Sequence, residues 1–143
     1  MRTAQRSRSE RGGVDIAVKA VELEAERIHT VCARVRERLP EDQAPSCEAF
    51  VRQYYHWVPA EDLAGRSSID LYGAAVSHWN LTQLRMPGEI KLRVFNPEFE
   101  QHGWQSPHTV VQIVTDDMPF LVDSVTTGPP CGATAIRAAQ TRG

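Results

Sequence analysis

The stretch TVVQIVTDDMPFLVDSVT, residues 109–126, places two adjacent carboxylates, Asp116 and Asp117, where the pattern changes. The residues before them are apolar and suit a buried strand. Those after them, with Pro119 in what would be a first helical turn, suit a helix. Carboxylates at such an elbow have three roles open to them. They can cap the helix, hold a cation together with His102 and His108, or line a small-ligand site beside the free N–H groups of a helix N-terminus. The cation option asks for His and Asp at a recognised spacing, and His102, His108, Asp116 and Asp117 match none. A cap plus two loop histidines accounts for them more simply, and no metal is expected. Ser106 stands two residues from His108 but lacks the nucleophile elbow of a hydrolase triad. Trp57, Trp79 and Trp104 could form a ligand cage, yet the first two fall on helical stripes and are expected in the core.

Elements must position that elbow, and the composition allows them. Hydrophobic residues make up 41 % and charged residues 24 % of 143, enough for a packed core of one domain or the front end of something larger. A formal charge of −2 gives no reason to expect nucleic acid or an anionic membrane as partner. Residues 1–13 differ: Arg2, Arg6, Arg8 and Arg11 against Glu10 give a net +3, with no apolar cluster, and are expected to be a disordered basic tail. No apolar run approaches the roughly 20 residues that cross a bilayer, and no secretory h-region is visible. Cys32, Cys47 and Cys131 form neither a CxxC pair nor an even set, which fits a reducing cytoplasm.

Residues 14–88 read as helical. Val14, Val18, Val21, Ala25, Ile28, Cys32, Val35 and Leu39 recur at steps of four and three, one stripe of a helix that Pro40 ends. Packing on its own domain is the simpler reading of that stripe; a self-associating coiled-coil seam is the sharper one. After the EDQAP linker a second helix follows, with Ser46 as its cap and Phe50, Tyr54 and Trp57 as an aromatic stripe. PAEDLAGR suggests a short turn closed by Gly65. Ser67 and Asp70 form a capping box for a third helix with Ile69, Tyr72, Val76 and Trp79 on one face, and MPG at 86–88 ends it. IKLRVF, 90–95, alternates as a strand does, and TVVQIVT is apolar more evenly, as a strand covered on both faces would be.

The segments EDLAGRSSIDLYGAAVSHW, LRVFNP and HGWQSPHTVVQIVTDDMPFLVDSV closely resemble the N-terminal region of the large bacterial NAD-specific glutamate dehydrogenases, over residues 45–126. The resemblance implies an α+β fold in which the helical segment leads into an incomplete ACT-like strand–strand–helix unit at 89–126. It also implies a role as the regulatory or assembly end of an enzyme that converts L-glutamate to 2-oxoglutarate and ammonia with NAD. On the elbow geometry and this ACT-like resemblance together, Thr115, Asp116, Asp117 and Met118 are the expected contacts for a small amino-acid effector. Self-association is expected in the parent enzyme. The chain itself has no GxGxxG turn, and its lysines are Lys19 and Lys91 alone, so no catalytic residue and no cofactor site is expected within it.

The departure from the family comes at Thr127, where TGPPCGATAIRAAQTRG replaces the rest of the helix. Residues 127–143 are expected to be an aberrant, disordered tail from a shifted reading frame, which makes the chain a fragment. Two other readings compete: a free-standing ACT-like binding module, against which unpaired strand edges argue, and a small structural protein that associates through residues 14–39.

Overall fold

A computed structural model of the chain describes residues 3–83, 85–116 and 135–141, the stretches 3–15, 17 and 135–141 by backbone alone. The fold is α+β. Its elements run α1 (Thr3–Arg38), α2 (Ala44–Tyr55), α3 (Ala60–Ala64), α4 (Ser68–Gln83), β1 (Lys91–Phe95), α5 (Phe99–His102), β2 (Val110–Asp116) and β3 (Ala135–Thr141). They fall into two compact units that divide within α4, Met1–Leu71 and Tyr72–Gly143. No described helix is long and apolar enough to cross a membrane.

In the first unit, α1 packs against α2 and α3. The helical stripe delivers part of what its spacing promises: Cys32 and Val35 are fully buried and Val31 joins them, whereas Val18 and Val21 stand more than half exposed. Among the stripe's described residues, own-domain packing thus buries Cys32 and Val35, near the C-terminal end. Arg36 donates two 2.6 Å hydrogen bonds to the Glu48 carboxylate and so ties α1 to α2. The bond from Arg36 holds the Glu48 carboxyl below its usual range.

Four expectations are corrected here. The basic residues after Thr3 belong to α1, so the disordered tail of 1–13 is replaced by helix over its described part. The second helix starts at Ala44, with Pro45 in its first turn, where a missing N–H costs little; Ser46 is therefore inside the helix and is not its cap. That helix ends at Tyr55, so Trp57 falls outside its phase and is 87 % exposed, while Cys47, Val51 and Tyr55 form the buried face. In α4 the inward face is Leu71, Ala75, His78 and Trp79, and Ile69 is 39 % exposed. Ile69 lies in the first turn, and counting large residues from there misplaced the phase, because α4 turns small residues inward where its neighbours come closest. The capping box, by contrast, is present: the Asp70 N–H donates to Ser67 Oγ at 3.1 Å, and the Ser67 hydroxyl donates to the Asp70 carboxylate at 2.6 Å.

The second unit is a three-stranded sheet in the order β1-β2-β3. β1 pairs antiparallel with β2, placing Leu92 across from Ile113 and Val94 across from Val111. Partners across a ladder share a face, so the alternate residues Arg93 and Gln112 share the other. That second face lies against α4. The Gln112 amide and the Arg93 guanidinium both donate to Ser77 Oγ, at 3.3 and 3.4 Å, and His78 Nε2 meets the Ile113 carbonyl at 3.2 Å. The aliphatic face is the open one, with Ile90, Leu92 and Val94 all more than half exposed. Among the described residues, β2 is covered fully on one face only.

The last expectation to change concerns 127–143. Residues Ala135–Thr141 form β3 and pair in parallel with all of β2, from Val110 opposite Ala135 to Asp116 opposite Thr141. A backbone ladder needs N–H and C=O groups more than large side chains, and these seven residues contain neither Gly nor Pro to interrupt it. The helix expected after the elbow lies outside the described residues.

Candidate functional site

β2 carries Thr115 and Asp116 to the end of the sheet where the turn between α4 and β1 also arrives. Thr115 is 2 % exposed, which withdraws its side chain from solvent. Asp116 keeps half of its side chain exposed and is engaged on both oxygens. The Arg85 guanidinium donates to Oδ1, and the Gly88 N–H donates to Oδ2 at 3.1 Å. Asp117 and Met118 lie outside the described residues.

The partners of Asp116 come from RMPGE, residues 85–89. Arg85 follows the end of α4 with only 9 % of its side chain exposed, and it also donates to the Glu89 carbonyl at 2.9 Å. Glu89 returns its carboxylate to the Met86 N–H at 3.0 Å. Gly88 has φ of 79°, a left-handed conformation that turns its N–H toward Asp116 and that a side chain would strain. Arg85 and Gly88 were not among the residues picked from sequence. The Pro87-Gly88 pair signalled a turn, but nothing local revealed that a carboxylate 28 residues further on would close it.

This arrangement sets the titration of Asp116. The hydrogen bond from Arg85 is the main cause that holds its carboxyl below the ordinary value of 3.8; loss of solvent opposes it, and the Arg85 charge and the Gly88 N–H reinforce it. A carboxyl depressed in the folded state contributes stability that is present above the unfolded value and is lost as pH falls through the folded one. Asp116→Asn is therefore expected to be less stable than the wild type at neutral pH. That gap should close as the pH drops below 3.8, read from urea midpoints. A gap that stays constant down to about pH 2 would exclude the ion pair as its source.

The remaining sequence candidates have structural roles. His102 stacks on Phe95 with ring centroids 5.1 Å apart and accepts the Glu98 N–H at Nδ1, 3.1 Å away. Ser106 Oγ accepts the His108 N–H at 3.2 Å, a local turn. Among the described residues no group of three His, Cys, Asp or Glu is placed to hold a metal. Cys32 and Cys47 are buried free thiols; burial pushes Cys47 up to about 11 and Cys32 in the same direction, which disfavours the nucleophilic thiolate. Cys131 lies outside the described residues. Trp57 is exposed whereas Trp79 and Trp104 are buried.

An α+β fold with helices leading into strands is what the ACT-like resemblance implied, and the family comparison agrees. The family model described as glutamate dehydrogenase, ACT1 domain, matches residues 50–128, more than half of the chain, and the chain belongs to that family. The match begins at Phe50 inside α2, well upstream of residue 89, where the sequence reading starts the ACT-like unit.

Two curated relatives are each described as an NAD-specific glutamate dehydrogenase. That of Halomonas elongata is 50 % identical over 92 residues, 64 % of this chain and 6 % of its own length. That of Pseudomonas aeruginosa is 35 % identical over 97 residues, 68 % of this chain and 6 % of its own. The chain thus spans about 6 % of the length of the curated relatives it matches. No solved structure matches it significantly.

Proposed function

We propose that this chain is the N-terminal regulatory and assembly portion of a cytoplasmic NAD-dependent glutamate dehydrogenase. The parent enzyme converts L-glutamate, NAD and water to 2-oxoglutarate, ammonia and NADH, and this portion does none of that chemistry itself. NAD belongs to the parent's catalytic domain, because a dinucleotide fold approaches the pyrophosphate through a glycine-rich turn and this sequence has no such turn. The observation that carries the reading is the ACT1-domain match over residues 50–128, together with 50 % identity to a relative of that name. Within it, the elbow of Thr115, Asp116, Asp117 and Met118 takes a small amino-acid effector, for which the half-exposed Asp116 offers a negative charge. Self-association in the parent enzyme is supported by the aliphatic residues left exposed, Leu92 and Val94 on the sheet and Val18 and Val21 on α1.

Two measurements on the purified chain test this. Incubation with L-glutamate and NAD is expected to yield no NADH, and turnover would overturn the non-catalytic assignment. Millimolar amino acids, L-glutamate first, are expected to raise the melting temperature, since a ligand that binds only the folded state stabilises it by mass action. No shift with any of them would remove the effector role.

A further inference from the structure

The elbow shows how an amino acid would be held. Arg85 and Gly88 together form a carboxylate cradle: one guanidinium N–H and one backbone N–H converge on the two oxygens of a single carboxylate. The Arg85 side chain is more than nine-tenths buried, and the left-handed Gly88 turn presets the backbone donor. A cradle of that kind recognises any carboxylate of matching reach, by charge-assisted hydrogen bonds. Here the occupant is the chain's own Asp116, whose side chain is half exposed and so within reach of a solute.

We infer that the Arg85–Asp116 pair is an exchangeable latch for an α-amino acid. The ligand's α-carboxylate takes the place of Asp116 on Arg85 and the Gly88 N–H, and the released Asp116 carboxylate accepts the ligand's α-ammonium. Each charge that is separated is matched by one that is gained, so the exchange leaves neither Arg85 nor Asp116 without an opposite charge. It also has a structural consequence. Asp116 fastens the turn 85–89 to the end of β2, and that turn leads directly into β1. Ligand exchange therefore frees the β1 entry from β2. The inference rests on the effector reading and deepens it by naming Arg85 and Gly88 as the carboxylate site and Asp116 as the ammonium site.

Calorimetric titration of the full chain with L-glutamate, and with glutarate, which lacks the ammonium group, separates the possibilities. Asp116→Asn is expected to lose at least about tenfold of the wild type's preference for L-glutamate over glutarate, the equivalent of one charge-assisted contact to the ammonium group. The same variant is expected to bind glutarate more tightly than the wild type does, because the internal competitor for the cradle has lost its charge. A purely structural role for Asp116 would not give that inversion. Arg85→Gln is expected to bind neither. Should Arg85→Gln fail to fold by circular dichroism, the Asp116→Asn pair of titrations decides the matter alone. An unchanged preference for L-glutamate over glutarate in Asp116→Asn would overturn the latch while leaving the effector reading intact. No binding of any amino acid by the wild-type chain would overturn both.

Discussion

Replacing Gly73 with alanine is expected to open the second unit while leaving the first protected. Gly73 lies on α4 directly beneath Trp104, and a Cβ built there would meet the indole at 2.3 Å. The indole has nowhere to withdraw. Trp104 is 2 % exposed, and its ring stands edge-on to Phe95 with centroids 5.9 Å apart. Overpacking of a filled core costs about 1–3 kcal/mol and more where neighbours cannot shift, so the upper end, about 3 kcal/mol, is expected. Trp104→Ala approaches the same contact from the other side, removing a large buried ring for about 3–5 kcal/mol. Either change should speed exchange of the β1 and β2 amides by roughly a hundredfold or more, as about 1.4 kcal/mol corresponds to a factor of ten. Exchange in α1 and α2 is the internal control. A Gly73→Ala chain whose β2 amides stay protected would show that the indole is not packed on α4.

That contact illustrates what the sequence could and could not convey. Periodicity announced helices at 14–39, 46–58 and 67–85 and strands near 90–95 and 109–115, and the structure has elements of the same type there with shifted bounds, because burial on one side imposes a repeat that the sequence records. It failed on direction. In α4 the pattern of Ile69, Tyr72, Val76 and Trp79 is as regular as that of Leu71, Ala75, His78 and Trp79, yet of the first only Trp79 is buried and of the second all four are. The small residues of that helix, Gly73 and Ala75, mark where neighbours come close, but a count of large apolar residues gives them no weight. Trp57 failed for a related reason: α2 stops at Tyr55, three residues short of the expected end at 58, which leaves Trp57 in solvent.

The strand end at Asp116 was legible in the sequence, and its ion pair with Arg85 was not. Asp116 was found from sequence because a paired carboxylate at a strand end is a local signal. Its partners are 28 to 31 residues away across the α4–β1 turn, a distance that no spacing rule spans. Thr115, chosen for its neighbourhood, turns out to be buried. The strand at Ala135–Thr141 was missed because AIRAAQT shows no alternation of apolar and polar residues, while its backbone pairs along the whole of β2.

In the first unit the largest single loss is expected from Tyr55. Its side chain is 1 % exposed at the end of α2, and its hydroxyl donates to the Leu71 carbonyl at 2.6 Å. Two contributions can be separated by two substitutions. Tyr55→Phe keeps the ring and removes the donor. Buried hydrogen bonds contribute on the order of 1 kcal/mol net, so a loss near that size is expected. Tyr55→Ala also empties the space between α2 and its neighbours and should cost about 3–5 kcal/mol, as other aromatic truncations in cores do. The ring therefore carries most of the stabilisation, and the hydroxyl sets where it points. Urea unfolding followed by the exchange of α1 and α2 amides checks both values. The informative comparison is between the two variants: equal losses for Phe and Ala would mean that the hydroxyl, not the packing of the ring, holds α2 in place.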